Sequence, residues 1–110
     1  MATSQSTVDF ILDQLISIDS ISTRKMFGEY ALYCENKVVG LICDNTLFIK
    51  ITEAGKKLIG KHYQEGRPYQ GARPYIKVNE VLLENRKLLS ELIQITTIHI
   101  PSPKLKKQRS

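Results

Sequence analysis

Four side chains in this sequence have the chemistry of metal ligands or of a nucleophile with its base: Cys34, Cys43, His62 and His99. A metal centre needs such donors clustered at fixed offsets. Cys34 and Cys43 stand nine residues apart, and neither CxxC nor HExxH spacing occurs. No metal site is expected, and both cysteines read better as small buried hydrophobes. Nucleophilic catalysis would need Ser or Cys beside a His that a carboxylate orients. His62 follows a lysine-rich stretch and His99 lies near the end of the last helical pattern. Both are poor settings for a preorganised base. Gly28 stands alone before a strand pattern, without GxGxxG or GxxxxGK, so no phosphate cradle is indicated. Its expected task is backbone permissiveness at a strand entry. The expectation is a non-enzymatic protein with no cofactor.

A second chemistry is electrostatic. The 110 residues carry 16 Lys plus Arg against 11 Asp plus Glu, a formal charge of +5. Lys104, Lys106, Lys107 and Arg109 all lie beyond Pro103, with no acid among them. Setting these four aside leaves 12 bases against 11 acids, so the body is only +1. Residues 101–110 read as a disordered basic tail, because such a segment cannot bury enough apolar area to offset its ordering entropy. Within the body, residues 53–77 hold Lys56, Lys57, Lys61, Arg67, Arg73 and Lys77, interleaved with Tyr63, Tyr69 and Tyr75. Cations among aromatics compose a nucleic-acid surface, where rings stack on bases and charges meet phosphates. They also compose a solvated helix face followed by a loop whose tyrosines cover the core edge. No nucleic-acid motif frames these residues, so the second reading is preferred. The alternative would use Lys56, Lys57, Lys61, Arg67, Arg73 and the tail cations for a weak, salt-sensitive nucleic-acid contact.

The elements that must position these groups follow from periodicity. A hydrophobic share of 42% with 25% charged residues is ordinary globular composition. One domain over residues 1–100 is expected. No run is long and apolar enough for a membrane helix, and residues 1–7 lack the basic and apolar regions of a secretion signal. With only two cysteines, a reducing cytoplasm is the expected location. Val8, Ile11, Leu12, Leu15 and Ile16 make one apolar stripe, predicting a helix over 7–18 capped by Ser6, followed by a polar connection to Thr23. Strands are predicted over 29–35, 38–43 and 46–51, joined by two-residue turns at Asn36-Lys37 and Asp44-Asn45.

Those turns set the register, with paired residue numbers summing to 73 in the first hairpin and 89 in the second. Thr52 caps a second helix. Residues 64–74 form a loop with a short edge strand around Tyr69, and 75–78 a last strand. Asn85 then caps a final helix to Ile98. The order is α-β-β-β-α-β-β-α, an α+β domain with helices on an antiparallel sheet.

In this register one face carries Ala31, Tyr33, Val38, Ile42, Leu47 and Ile49, a core face. The other carries Tyr30, Leu32, Val39, Leu41 and Phe48 and is also apolar. A sheet with one wet side should alternate, and this one does not. Those five residues are the expected contact surface, covered by a second copy in a homodimer or by an unidentified protein partner.

Three blocks carry a family resemblance. Residues 24–33, with Met26-Phe27-Gly28-Glu29-Tyr30-Ala31-Leu32-Tyr33, resemble the MFGxYGLY signature of the TfoX/Sxy N-terminal domain family. Residues 40–50 are similar to its GLIADDTLYLK stretch, and residues 74–83 to its PYYxVPEDLL segment. The resemblance spans residues 10–98. It implies an α-β3-α-β2-α arrangement of two layers like secretion-chaperone folds, matching the order above. Ala31 stands where the signature has Gly, and Asn36-Lys37 where the turn is Asp-Gly. Family members include bacterial regulators of natural competence in which a helical C-terminal domain follows. The chain closes at Ser110, so a stand-alone domain is expected, without the DNA binding of two-domain regulators. No catalytic residue carries over. The implied function is that of a cytosolic regulatory domain acting through protein contacts.

Overall fold

In the computed structural model, which describes residues 3–101, short polar side chains decide where each helix begins. Ser4 Oγ accepts from Thr7 N at 3.3 Å and opens α1 (Gln5–Gln14). Thr52 Oγ1 accepts from Gly55 N at 2.9 Å and opens α2 (Glu53–Ile59), with a 3₁₀ turn at Gly60–His62 after it. Asn79 opens α3 (Glu80–Glu84) by accepting from Leu82 N, and Asn85 opens α4 (Arg86–His99) by accepting from Leu88 N. Each cap satisfies a backbone N–H that the helix itself leaves free.

The caps at Thr52 and Asn85 were legible. The first helix begins earlier than expected, because Asn45 Oδ1 holds Ser4 N at 2.9 Å and makes Ser4 rather than Ser6 the cap. It ends at Gln14, after which Ile18 N turns back onto Leu15 O at 3.0 Å. The five-residue α3 was not anticipated. A helix so short is not stable alone, and it persists because Leu82 is fully buried.

Six strands form one antiparallel sheet in the order β1-β2-β3-β4-β6-β5. They are β1 (Ile21–Met26), β2 (Glu29–Cys34), β3 (Lys37–Cys43), β4 (Thr46–Ile49), β5 (Glu65–Gly66) and β6 (Tyr75–Lys77). β1 replaces the expected polar connection. Its sequence, ISTRKM, has no run of alternating apolar residues, and only an edge position tolerates that. The second edge strand lies at Glu65–Gly66, not around Tyr69.

Three hairpin turns each place two residues at positive φ, as type I′ turns require: Phe27-Gly28 (52°, 83°), Glu35-Asn36 (53°, 65°) and Asp44-Asn45 (51°, 60°). The last is the expected turn, and β3 pairs β4 in the expected register, Ile42 opposite Leu47 and Gly40 opposite Ile49. The Glu35-Asn36 turn sits one residue earlier than expected. It closes on Cys34 opposite Lys37, and a bulge then follows, so Tyr33 faces Val38 while Leu32 faces Gly40. Over Tyr30–Leu32 the result is a slip of one residue from the expected register. That turns every β2 side chain to the other side of the sheet.

All four helices contribute to one core, so they share one side of the sheet. Val8, Ile11 and Leu15 of the first helical region, Ile59, Leu82, Leu89, Leu92 and Ile93 meet Leu32, Val39, Ile42, Leu47, Ile49 and Ile76. Each such buried Leu or Ile contributes about 1.5–3 kcal/mol over its exposed state. Among the described residues no helix lies on the opposite side of the sheet.

Candidate functional site

The uncovered side is built by alternation. The β1–β2 pairs Ser22–Tyr33, Arg24–Ala31 and Met26–Glu29 face it, with Leu41 and Phe48 paired on β3 and β4. It is not a bare face. Residues 66–72 leave β5 and pass over this face, bringing Pro68 and Tyr69 into one groove with Met26, Leu41 and Cys43. The Arg67 guanidinium donates to the Ala72 carbonyl and closes this crossing on itself. Phe48, Pro68 and Ala72 are buried, while Leu41 and Tyr33 stay half-buried.

Where the crossing stops, an apolar groove of about 450 Å³ opens, lined by Met26, Phe27, Leu41, Cys43, Pro68 and Tyr69 among others. Phe27 is its outermost wall, 104% exposed, on a backbone at φ 52°. Tyr69 across the groove is 61% exposed. The groove's floor is held by the N-terminal arm. Thr3 N donates to Gly28 O at 3.1 Å and its hydroxyl to the Glu29 carboxylate, while Asn45 Oδ1 accepts from Ser4 N and Thr7 Oγ1, each at 2.9 Å. Two hairpin tips are thereby stitched together. Burial, and then the charges of Glu29 and Asp44, push the Cys43 thiol above its ordinary value. A thiol kept protonated is a wall of the groove and a poor nucleophile.

A second concavity, about 610 Å³, lies on the far side of Tyr69, with Lys50, Arg73, Tyr75 and Ile100 along it. Burial pushes the Tyr75 hydroxyl up, Tyr69 adds to this, and Arg73 opposes it. Lys37 Nζ donates to Thr97 O at 2.9 Å and Ile100 O at 3.2 Å, closing the end of α4 beside this cleft.

The expected contact set is corrected by these positions. Leu32 and Val39 are 0% exposed in the helix-covered core. Tyr30 is buried with them, its hydroxyl donating to Gln5 Oε1 at 3.1 Å. The slipped register and the bulge moved them there, and Val39 is the residue the bulge leaves unpaired. Leu41 and Phe48 do lie on the opposite side, Phe48 beneath the crossing. The structure therefore splits the five between two faces.

The cations of residues 53–77 are split as well. Lys56 lies 3.9 Å from Glu53 and over the Tyr63 ring at 5.1 Å, and Lys57 and Lys61 are exposed on α2 and its 3₁₀ turn. Tyr63 itself is pushed up to about 12, by burial and by its hydrogen bond to Glu65. Arg67 belongs to the crossing on the other side of the sheet, and Arg73 follows its end beside the second concavity. Lys104, Lys106, Lys107 and Arg109 lie outside the described residues.

Met26, Phe27, Pro68 and Tyr69 were missed as site residues. A signal existed: Phe27 precedes Gly28 at a hairpin tip, where Asn or Asp is the usual choice. Among the described residues, no group of three or more His, Cys, Asp or Glu side chains is placed to hold a metal.

Fold and face together define an α+β domain whose antiparallel sheet is helix-backed on one side and partly open on the other. The chain belongs to the TfoX N-terminal domain family, which matches residues 13–98. It is also similar to a Spirochaeta aurantia protein described as an uncharacterized 12.7 kDa protein in the trpE 5′ region. The two are 36% identical over 110 residues, covering 100% of this chain and 94% of that one. The resemblance read from the three sequence blocks is thus confirmed.

Proposed function

We propose that this chain is a non-enzymatic, cytosolic regulatory domain that acts through protein contacts, its contact surface being the groove that Phe27 walls. One observation carries the reading. Phe27 is a large apolar side chain that covers nothing among the described residues, on a turn conformation that Phe adopts at a penalty. Folding explains neither feature, and a partner's surface explains both. Family membership supports a regulatory role. Among the described residues no helix is long and apolar enough to cross a membrane.

The test is immunocapture from the native host with the wild-type chain, Phe27→Ser and Leu41→Glu. The expected result is a partner retained by the wild type and lost from both variants, with unchanged circular dichroism. Equal capture by all three refutes the reading. Light scattering on the purified chain reads whether that partner is a second copy, the homodimer being the simplest form of the proposal.

A second reading has its own support. Lys50, Arg73, Tyr69 and Tyr75 line one cleft, the combination that single-stranded nucleic acid uses. It predicts retention on single-stranded DNA that weakens steeply with salt and is lost in Arg73→Glu.

A further inference from the structure

The sheet has two edges, and they are not alike. β5, at one edge, is two residues long, too short to template another strand. β1, at the other, is six residues long, and among the described residues no further strand pairs with it. Natural proteins blunt such edges or use them.

The pairing settles which backbone groups are free. Glu35 N donates to Ser20 O at 3.3 Å, and the Phe27-Gly28 turn closes on Met26 opposite Glu29. Hydrogen-bonded pairs alternate along an antiparallel ladder, so Ser22, Arg24 and Met26 turn their N–H and C=O groups toward β2. Ile21, Thr23 and Lys25 turn theirs outward. Among the described residues none of these three finds a backbone partner across the edge.

The side chains along this edge are cationic. Lys25 is exposed, and Arg24 is exposed with its guanidinium 5.5 Å from the centre of the Tyr33 ring. A second copy laid antiparallel along β1 must set outward-turned residues opposite one another; centred on Thr23, it puts the two Arg24 side chains diagonal on one face. Sliding that copy to the next allowed register is worse, because the two Arg24 residues then face each other directly. The charge that bars self-pairing attracts carboxylates. Beyond Met26 the edge ends at Phe27, an uncovered apolar stop.

We infer that β1 is a strand-addition site for an extended acidic peptide segment of a partner protein. Its backbone pairs with Ile21, Thr23 and Lys25, its carboxylates lie beside Arg24 and Lys25, and a large apolar residue at its end meets Phe27. This deepens the protein-contact reading and rests on it.

The test uses the full chain and a fluorescein-labelled peptide of repeated Glu-Glu-Val-Val ending in leucine, which puts carboxylates on both faces of the added strand, with a lysine-for-glutamate twin as control. Fluorescence anisotropy should show the acidic peptide binding at least tenfold more tightly than the twin. Thr23→Pro removes an outward N–H while leaving every β1–β2 hydrogen bond in place, since proline is tolerated at an open edge. It should weaken the acidic peptide at least tenfold with an unchanged melting temperature. The double variant Arg24→Glu, Lys25→Glu should invert the preference toward the lysine peptide, a readout independent of how Thr23→Pro folds.

Equal affinity for both peptides, or binding indifferent to Thr23→Pro and to the charge reversal, overturns the inference. So does a concentration-dependent dimer that Thr23→Pro abolishes, which would assign the edge to a second copy. If Phe27→Ser loses the native partner while the β1 variants keep it, the strand-addition inference fails and the contact reading stands. If none of them changes capture, both fail.

Discussion

Replacing Phe27 by Asn separates folding from function at a single atom-poor position. Phe27 and Gly28 form the centre of a type I′ turn, at φ 52° and 83°. The left-handed region costs an ordinary L-residue about 1–2 kcal/mol, and Asn is among the few side chains that enter it readily. Nothing offsets that gain on the other side. The Phe27 side chain is 104% exposed, so no buried area is lost with it. Phe27→Asn should therefore stabilise the chain by about 1 kcal/mol, which in a domain of this size raises the melting temperature by about 4–8 °C. Thermal and urea denaturation followed by circular dichroism measure it, with an unchanged urea slope confirming that the denatured state is the same.

The same variant should lose the native partner. A stabilised chain that no longer binds means that the fold tolerates a strained residue kept for contact. A variant destabilised by 1 kcal/mol or more would show that Phe27 packs against its own chain, and the reasoning from exposure would fall. A variant that is stabilised and still captures the partner would remove Phe27 from the contact surface.

Three further outcomes test the packing. Gly40→Ala places a Cβ 2.2 Å from the Phe48 carbonyl oxygen, backbone that cannot step aside, and should destabilise by about 3 kcal/mol in urea titration. A change below 1 kcal/mol would mean β3 and β4 are not this close. Thr96→Val removes a hydroxyl that is fully buried in α4 without a hydrogen-bond partner, and should raise stability by about 1 kcal/mol on thermal melting. A loss of stability would reveal a partner for that hydroxyl. Because burial and neighbouring carboxylates raise the Cys43 pKa, its thiol stays protonated beyond the pH at which a free cysteine ionises. Iodoacetamide should label Cys43 more slowly than free cysteine at pH 8, rising with pH above it and faster in Asp44→Asn. Labelling at the rate of free cysteine contradicts this.

The site was harder to read than the fold, and particular residues show why. Thr52 and Asn85 announced α2 and α4, and Asp44-Asn45 announced a turn whose register held along the whole β3–β4 pair. The contact surface failed between β2 and β3, at the displaced turn and above all at the bulge after it. Asn36 enters the left-handed region as expected, but Glu35 joins it where Lys37 was expected to. Glu has no local preference that would signal this. That displacement moves the pairing by two and by itself keeps every side chain on its expected face; the bulge beside Leu32 takes back one step, and this sent Tyr30, Leu32 and Val39 into the core and left the opposite face to Ala31, Tyr33 and Leu41.

Residues a few positions apart decide a helix cap, a turn or an apolar stripe. Elements of that kind, the α+β class and the family were therefore legible in the sequence. Which face of β2 is dry depends instead on a register accumulated through a turn and a bulge, with the winner chosen by how well each face packs under four helices. Which apolar groups stay uncovered depends on where residues 66–72 cross the sheet, more than twenty residues away from Leu41 and Phe27 along the chain. Those two outcomes are set by contacts between segments that share no local signal, and only the folded chain could decide them.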